Sequence, residues 1–88
     1  MDSLDNLRNE IDRLDESLVE ILAQRFRVTH EIGQFKKMKN LPPVDPQREE
    51  AQTQKIKDLA NKLGLSEAVA LRVLRVIIDE VVNDHKKI

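Results

Sequence analysis

The chain has 88 residues, of which 40% are hydrophobic and 35% are charged, so its composition is that of a single small globular domain, expected over residues 1–88. Its 15 Lys and Arg residues nearly balance 16 Asp and Glu, and Trp, Tyr and Cys are absent. These features argue against a nucleic-acid or membrane-surface protein and exclude disulfides and a thiol nucleophile. With no apparent membrane span or secretory signal, we expect a cytoplasmic protein.

The first predicted helix runs from about Ser3 to about Asn40 and carries one apolar seam. The seam alternates steps of three and four residues, as in a coiled coil, and Arg25 is its one polar member. Its positions are Leu4, Leu7, Ile11, Leu14, Leu18, Ile21, Arg25, Val28, Ile32 and Phe35. The segment LPPVDP then ends the helix, because its prolines lack N–H donors and fix φ.

Two shorter helices follow, each with a recognisable start. Asp45 before Pro46 is a carboxylate N-cap followed by proline at the first helical position, and this second helix is predicted to reach Leu63. Gly64 suits the left-handed position beyond a helix end, and Ser66 caps a third helix that reaches about Lys86. No long alternation predicts a strand, so the predicted fold is all-α, with one long helix and two shorter ones.

The length of the first helix predicts assembly. About 37 helical residues span roughly 55 Å, whereas a compact chain of this size has a radius of gyration of only about 12 Å. The seam must therefore extend beyond the chain's own core, and we expect a second copy to cover it in an intertwined, symmetric homodimer. The alternative is an extended coiled coil without a site, against which the two capped helices argue.

Each apolar stripe becomes polar at one place. The seam of the first helix contains Arg25, the second helix's stripe continues into Gln52, Arg48 and Glu49, and the third helix's stripe continues into His85. A buried arginine needs an acidic partner, either a protein carboxylate or an anionic ligand. Three interruptions together favour a shared polar pocket.

Lys36 and Arg8 extend this cationic set along the first helix. Lys36 follows Arg25 by eleven residues, so the two lie on nearly one face, roughly 16 Å apart, and can bracket a small anion. The alternative for Lys36 is an ordinary basic helix end. Arg8 lies about 25 Å before Arg25 and reaches the same ligand only from another subunit. Its alternative is a surface arginine paired with Asp12 or Asp5. Because neither histidine has a second ligand at suitable spacing, we expect no metal.

In the order and spacing of these segments the chain resembles the all-helical chorismate mutases. The resemblance spans LRNEIDRLDESLVEILAQR, EIGQFKK, PPVDPQRE and LRVIIDEVVNDH, which together cover nearly the whole sequence. It implies three helices and a homodimer intertwined through the long first helix. Each active site of such a dimer takes one arginine from the partner chain, and the resemblance gives that role to Arg8.

The resemblance also assigns roles to the other candidate residues. Arg25 matches an arginine that binds a substrate carboxylate, and Lys36 matches a lysine that contacts carboxylate and ether oxygen. Asp45, Arg48 and Glu49 match the group around the substrate hydroxyl and carboxylate. Two positions depart from the best-known pattern: Val81 stands where a serine can occur, and His85 where a glutamine or glutamate donates to the ether oxygen. From the pattern alone, His85 is either this donor or an exposed residue near the chain end.

The implied activity is the rearrangement of chorismate to prephenate in phenylalanine and tyrosine biosynthesis. This isomerase reaction needs no cofactor, and Arg25, Lys36, Glu49 and His85 would be the catalytic side chains. Docking on another enzyme of the same pathway is a further expectation. Two alternatives remain: the related isochorismate-pyruvate lyase, whose hinge lacks the acidic character of VDPQRE, and a non-catalytic helical interaction module, in which Arg25 would pair with a protein carboxylate and no pocket would exist.

Overall fold

A computed structural model describes residues 3–88, which form three α-helices and no strand. Helix α1 spans Leu4–Met38, α2 spans Pro46–Leu63 and α3 spans Glu67–Lys87. The predicted all-α fold is confirmed, as are the number and order of the helices. Within residues 3–88, no helix combines the length and the apolar character that crossing a membrane requires.

The three helix starts are capped by the side chains that the sequence indicates. The Ser3 hydroxyl accepts from the Asn6 amide at 3.1 Å, and the Asp45 carboxylate accepts from the Arg48 amide at 3.1 Å, with Pro46 opening α2. Ser66 accepts from the amide of Val69 at 3.4 Å at the start of α3. Each cap satisfies an amide that has no partner within its helix, which fixes where the chain becomes helical.

The first two helices end on residues with a positive φ angle. Asn40 has φ 56°, and the Leu41 amide donates to the carbonyl of Lys36 at 2.8 Å, so α1 closes before the prolines. Gly64 has φ 75°, and the Leu65 amide donates to Ala60 at 2.8 Å. Left-handed residues at helix ends allow the last carbonyls to be hydrogen-bonded while the chain turns.

Helix α3 is the centre of the packing. It lies against both α1 and α2, while α1 and α2 do not pack against each other within the described residues. Among the described residues, the buried apolar side chains are few and lie on α2 and α3: Ala60, Ala70, Leu74 and Ile78. So small a core is marginal for a chain of this length.

The α1 seam remains uncovered within the chain. Its nine apolar members, which are the seam positions other than Arg25, are each between 45% and 64% exposed. The molecule is 57 Å long with a radius of gyration of 16.3 Å, well above the value of about 12 Å expected for a compact chain. An apolar stripe of this length is typical of an interface.

Replacement of Gly64 tests the left-handed end of α2. Nothing lies within 4 Å of a Cβ built at Gly64, so backbone strain alone determines the cost of a side chain there. We expect Gly64→Ala to lower the free energy of unfolding by about 1 kcal/mol. Gly64→Asn should lower it less, because asparagine adopts this conformation more readily. Urea unfolding measures both values, and equal losses would contradict the assignment.

Candidate functional site

A cavity of about 690 Å³ lies between α1 and α2, with α3 closing one side. Its walls are mainly apolar, and its volume is within the range of small-molecule sites. Seven of the eight predicted substrate-binding residues line it: Arg25, Lys36, Asp45, Arg48, Glu49, Val81 and His85. The structure therefore brings together polar residues that the sequence distributes over all three helices and the α1–α2 linker.

Arg25 is half-buried in the wall of the cavity, and one nitrogen of its guanidinium is unsatisfied. The Nη1 atom is buried and has no hydrogen-bond partner among the described residues. No salt bridge joins Arg25 to a carboxylate within residues 3–88, so the pairing required by the interaction-module alternative is not found there. A buried N–H of a cation without an acceptor is costly, and an anion in the cavity would remove that cost.

Lys36 lies at the other end of the cavity, where α1 meets the linker. Its Nζ atom donates to the carbonyl of Pro43 at 3.3 Å and is part-buried. This bond ties the linker to α1 and leaves further N–H groups of the ammonium for a ligand. Lys36 thus lines the cavity while it also belongs to the basic last turn of α1.

The start of α2 presents two opposite charges to the cavity. Arg48 is exposed on the wall, and Glu49 is half-buried. The Glu49 carboxylate accepts from both Nη atoms of Arg75 on α3 at 3.4 Å, and Arg75 also donates to Asp79 at 3.3 Å. Arg75 therefore orients a carboxylate of the site, a role that sequence reasoning missed because the two residues are 26 positions apart.

His85 is buried, at 7% exposure, and its ring lies on the backbone of α1. Its Nε2 atom donates to the Thr29 carbonyl at 2.7 Å. The alternative of an exposed histidine near the chain end is therefore wrong. The ring fits because residue 33 is glycine: a Cβ there would lie 2.5 Å from the ring's Cδ2, and equally close to Cδ1 of Ile88. Neither Thr29 nor Gly33 was predicted from the sequence, since both act through the backbone.

Arg8 is the one candidate that the cavity of a single chain does not include. It is exposed, and no described acidic residue forms a salt bridge with it, including Asp5 and Asp12. Since it precedes Arg25 by about 25 Å along a continuous α1, its part in the site stays a prediction that requires a second chain.

The sequence matches the family described as chorismate mutase type II over residues 7–86. It is 37% identical over 75 residues to the T-protein of Haemophilus influenzae, with 85% of this chain and 20% of that protein covered. It is 36% identical over 91 residues to the bifunctional chorismate mutase/prephenate dehydratase of Aquifex aeolicus, with 100% and 25% covered. A chorismate mutase of Methanocaldococcus jannaschii is 22% identical over 79 residues, with 90% and 80% covered.

These matches differ in how much of each relative they cover. The chain spans only about a fifth to a quarter of the length of the T-protein and of the bifunctional enzyme. It corresponds to most of the Methanocaldococcus protein, although at lower identity. The similarity thus concerns one segment of the longer relatives.

Gly33→Ala tests whether the absence of a side chain at residue 33 is required for the His85 ring to pack against α1. Alanine inside a helix is normally more stable than glycine by up to about 1 kcal/mol. Here the ring would have to move and lose its bond to Thr29, so we expect a net loss of about 1 kcal/mol in the free energy of unfolding. Urea denaturation gives the value.

The matched control places Gly33→Ala in a His85→Ala background. Without the ring, the new Cβ meets only the Cδ1 atom of Ile88, the far end of a flexible side chain, so the same substitution should stabilise the protein relative to His85→Ala alone. A stabilising effect in both backgrounds would contradict the steric role of Gly33.

Proposed function

The chain belongs to the chorismate mutase type II family, and from this premise we propose that it catalyses the rearrangement of chorismate to prephenate. Arg25 carries the proposal. Its buried Nη1 lacks an acceptor in a cavity that Lys36 also lines, so the site is suited to an anion. Chorismate is a small dicarboxylate, and a cavity of about 690 Å³ has room for it.

The reaction matches what these side chains offer. It is an intramolecular [3,3] rearrangement: the bond between a ring carbon and the ether oxygen breaks while the side-chain methylene bonds to the ring. No proton, electron or other reactant enters or leaves. A protein accelerates such a step by holding the compact conformer and by stabilising negative charge that grows on the ether oxygen.

We assign the roles accordingly. Arg25 binds a carboxylate, Lys36 binds a carboxylate and the ether oxygen, and Arg48 with Glu49 holds the carboxylate and hydroxyl at the α2 side. Asp45 caps α2 and also borders the cavity. The cap fixes the position of the first turn of α2, which carries Arg48 and Glu49. Val81 supplies apolar wall. An acceleration of ~10⁶ corresponds to about 8 kcal/mol, which a few preorganised cationic donors can supply.

A homodimer completes the proposal. The uncovered seam of α1 supports it, because a second α1 offers a matching apolar surface of the same length. In that arrangement Arg8 of one chain would enter the cavity of the other. The small intrachain core also supports an assembly in which each chain depends on its partner for stability.

The setting of the activity is also a proposal. The name of the bifunctional chorismate mutase/prephenate dehydratase points to aromatic amino acid biosynthesis. We propose that this chain acts there, in the cytoplasm, without a cofactor. Two expectations stay predictions: that residues 1–88 form a single domain, and that the domain docks on another enzyme of that pathway.

Chorismate depletion by the purified protein is the direct test. We expect prephenate as the product, and Arg25→Ala should lower kcat/KM by at least about 100-fold, because a buried donor to the substrate is lost. Arg27→Ala is the matched control, since Arg27 is exposed and lies off the cavity wall. Pyruvate released from isochorismate, with no prephenate from chorismate, would instead identify the lyase.

Mixing two inactive variants tests the composite site. Arg8→Ala and Arg25→Ala should each be nearly inactive. After joint refolding, half of the dimers should be mixed, and each mixed dimer holds one intact site, so activity should return to about a quarter of the wild-type value. Mixed dimers demonstrated by mass spectrometry but without activity would refute the shared site.

Two further variants separate binding from catalysis. Lys36→Ala should lower kcat far more than it raises KM, because its contact with the ether oxygen strengthens in the transition state. Arg48→Ala should mainly raise KM. A pure KM effect at Lys36 would make it a binding residue only, and a silent Arg48→Ala would remove α2 from the site.

A further inference from the structure

Gln52 lies where the apolar stripe of α2 reaches the cavity. The stripe runs back through Leu63, Leu59 and Ile56, and the next position at the same spacing is Gln52. Gln52 is half-buried and lines the cavity. An amide removed from water costs free energy unless it finds a hydrogen-bond partner, so a purely structural stripe would carry another apolar side chain here.

The polar side chains that follow Gln52 are satisfied within α2. Thr53 donates to the carbonyl of Glu49 at 2.9 Å, and the Gln54 amide donates to the carboxylate of Asp58 at 3.1 Å. Among residues 3–88, no hydrogen bond joins the Gln52 amide to another protein group. Neither Thr53 nor Gln54 lines the cavity. Of these three consecutive polar residues, the one without a protein partner is thus the one at the ligand site.

Arg48 precedes Gln52 by one helical turn. Four residues advance a helix by about 6 Å and leave the two side chains about 40° apart around the axis, so they are neighbours on one face. Both line the cavity. A carboxylate accepts about four hydrogen bonds, and a guanidinium fork donates two of them. A carboxylate bound by Arg48 therefore keeps accepting capacity beside Gln52, whose amide has two N–H groups.

The α3 wall offers such a carboxylate little. Three of its four residues, Ile78, Val81 and Val82, have no side-chain donor. The fourth, His85, already uses Nε2 on the α1 backbone. On α2, Glu49 is a carboxylate that can only accept, so Arg48 and Gln52 are the α2 wall residues that can donate. A carboxylate at this side of the cavity depends on that pair.

We propose that Gln52 is a further substrate-binding residue, and that its amide donates to the ligand carboxylate that Arg48 binds. The inference rests on the proposed function for the identity of the ligand and adds a residue to that site. This carboxylate keeps its charge throughout the rearrangement, whereas negative charge grows on the ether oxygen. The contact therefore has similar strength in the ground state and the transition state, and its loss should appear in KM.

Gln52→Met removes the donor while keeping the length of the side chain. We expect KM for chorismate to rise about tenfold and kcat to change by less than about twofold, because a hydrogen bond to a charged group is lost from binding alone. Urea unfolding should show stability at or above that of the wild type, since methionine suits the stripe. Gln54→Met is the matched control: Gln54 is exposed and lies off the cavity, so KM should not change.

Gln52→Glu identifies the group that the amide contacts. Glutamate has nearly the same shape but no N–H, and its charge repels a ligand carboxylate and competes for Arg48. We therefore expect KM to rise by at least about 100-fold, further than in Gln52→Met. If the amide instead contacts the ligand hydroxyl, glutamate would accept that hydrogen, and Gln52→Glu would bind better than Gln52→Met.

Calorimetry with prephenate, the dicarboxylate product, measures binding without turnover, and we expect Gln52→Met to bind it about tenfold more weakly than the wild type does. An unchanged KM in Gln52→Met, a loss confined to kcat, or a Gln52→Glu that binds better than Gln52→Met overturns the inference and leaves the proposed function standing. A folded wild-type protein that neither converts chorismate nor binds prephenate overturns both. Should Gln52→Met fail to fold, Gln52→Leu, which also suits the stripe, decides by the same measurements.

Discussion

Helix α3 contacts both other helices, and the site depends on that arrangement. Because α1 and α2 pack against α3 but not against each other, there is a gap between them, and this gap is the cavity. Leu74 and Ile78 of α3 are buried, and Ile78 also lines the cavity. The Lys36 bond to Pro43 then closes the linker end. A cavity built between rigid helices can hold charged groups in place before any ligand arrives, which electrostatic catalysis requires.

The same arrangement explains why the site tolerates so many cations. A charge in an apolar wall loses hydration, and a chain with only a few buried apolar residues has little stability to offset that loss. Lys36 and Glu49 are each partly satisfied by the protein, through Pro43 and Arg75, while the buried Nη1 of Arg25 has no hydrogen-bond partner among the described residues. The unsatisfied donor is thus confined to the place where a carboxylate would bind. A dimer would add apolar burial along α1 and so help to offset the cost.

Sequence reasoning succeeded where local chemistry decides the structure. Ser3, Asp45 and Ser66 cap their helices because each side chain reaches an amide three residues on, a distance fixed within one turn. Arg25 was found because it breaks a regular heptad. The partner of Glu49 was not found, because Arg75 lies on another helix and only the packing of α2 on α3 brings them together. The role of the Thr29 carbonyl could not be predicted from the sequence, because every residue has a backbone carbonyl whatever its side chain.

Three local irregularities of the sequence have one structural explanation. An arginine in a heptad seam, a glycine in the interior of a long helix and a histidine at the end of an apolar stripe each lower local stability when considered alone. In the folded chain Gly33 and His85 are in contact, and Arg25 and His85 line the same cavity. Glycine lowers helix stability by up to about 1 kcal/mol relative to alanine, and the hydrogen bond from His85 to Thr29 that it permits contributes a similar amount. Departures from local rules that lie in one cavity, or beside it as Gly33 does, are expected of a binding site, since a purely structural helix would use leucine and alanine at these positions.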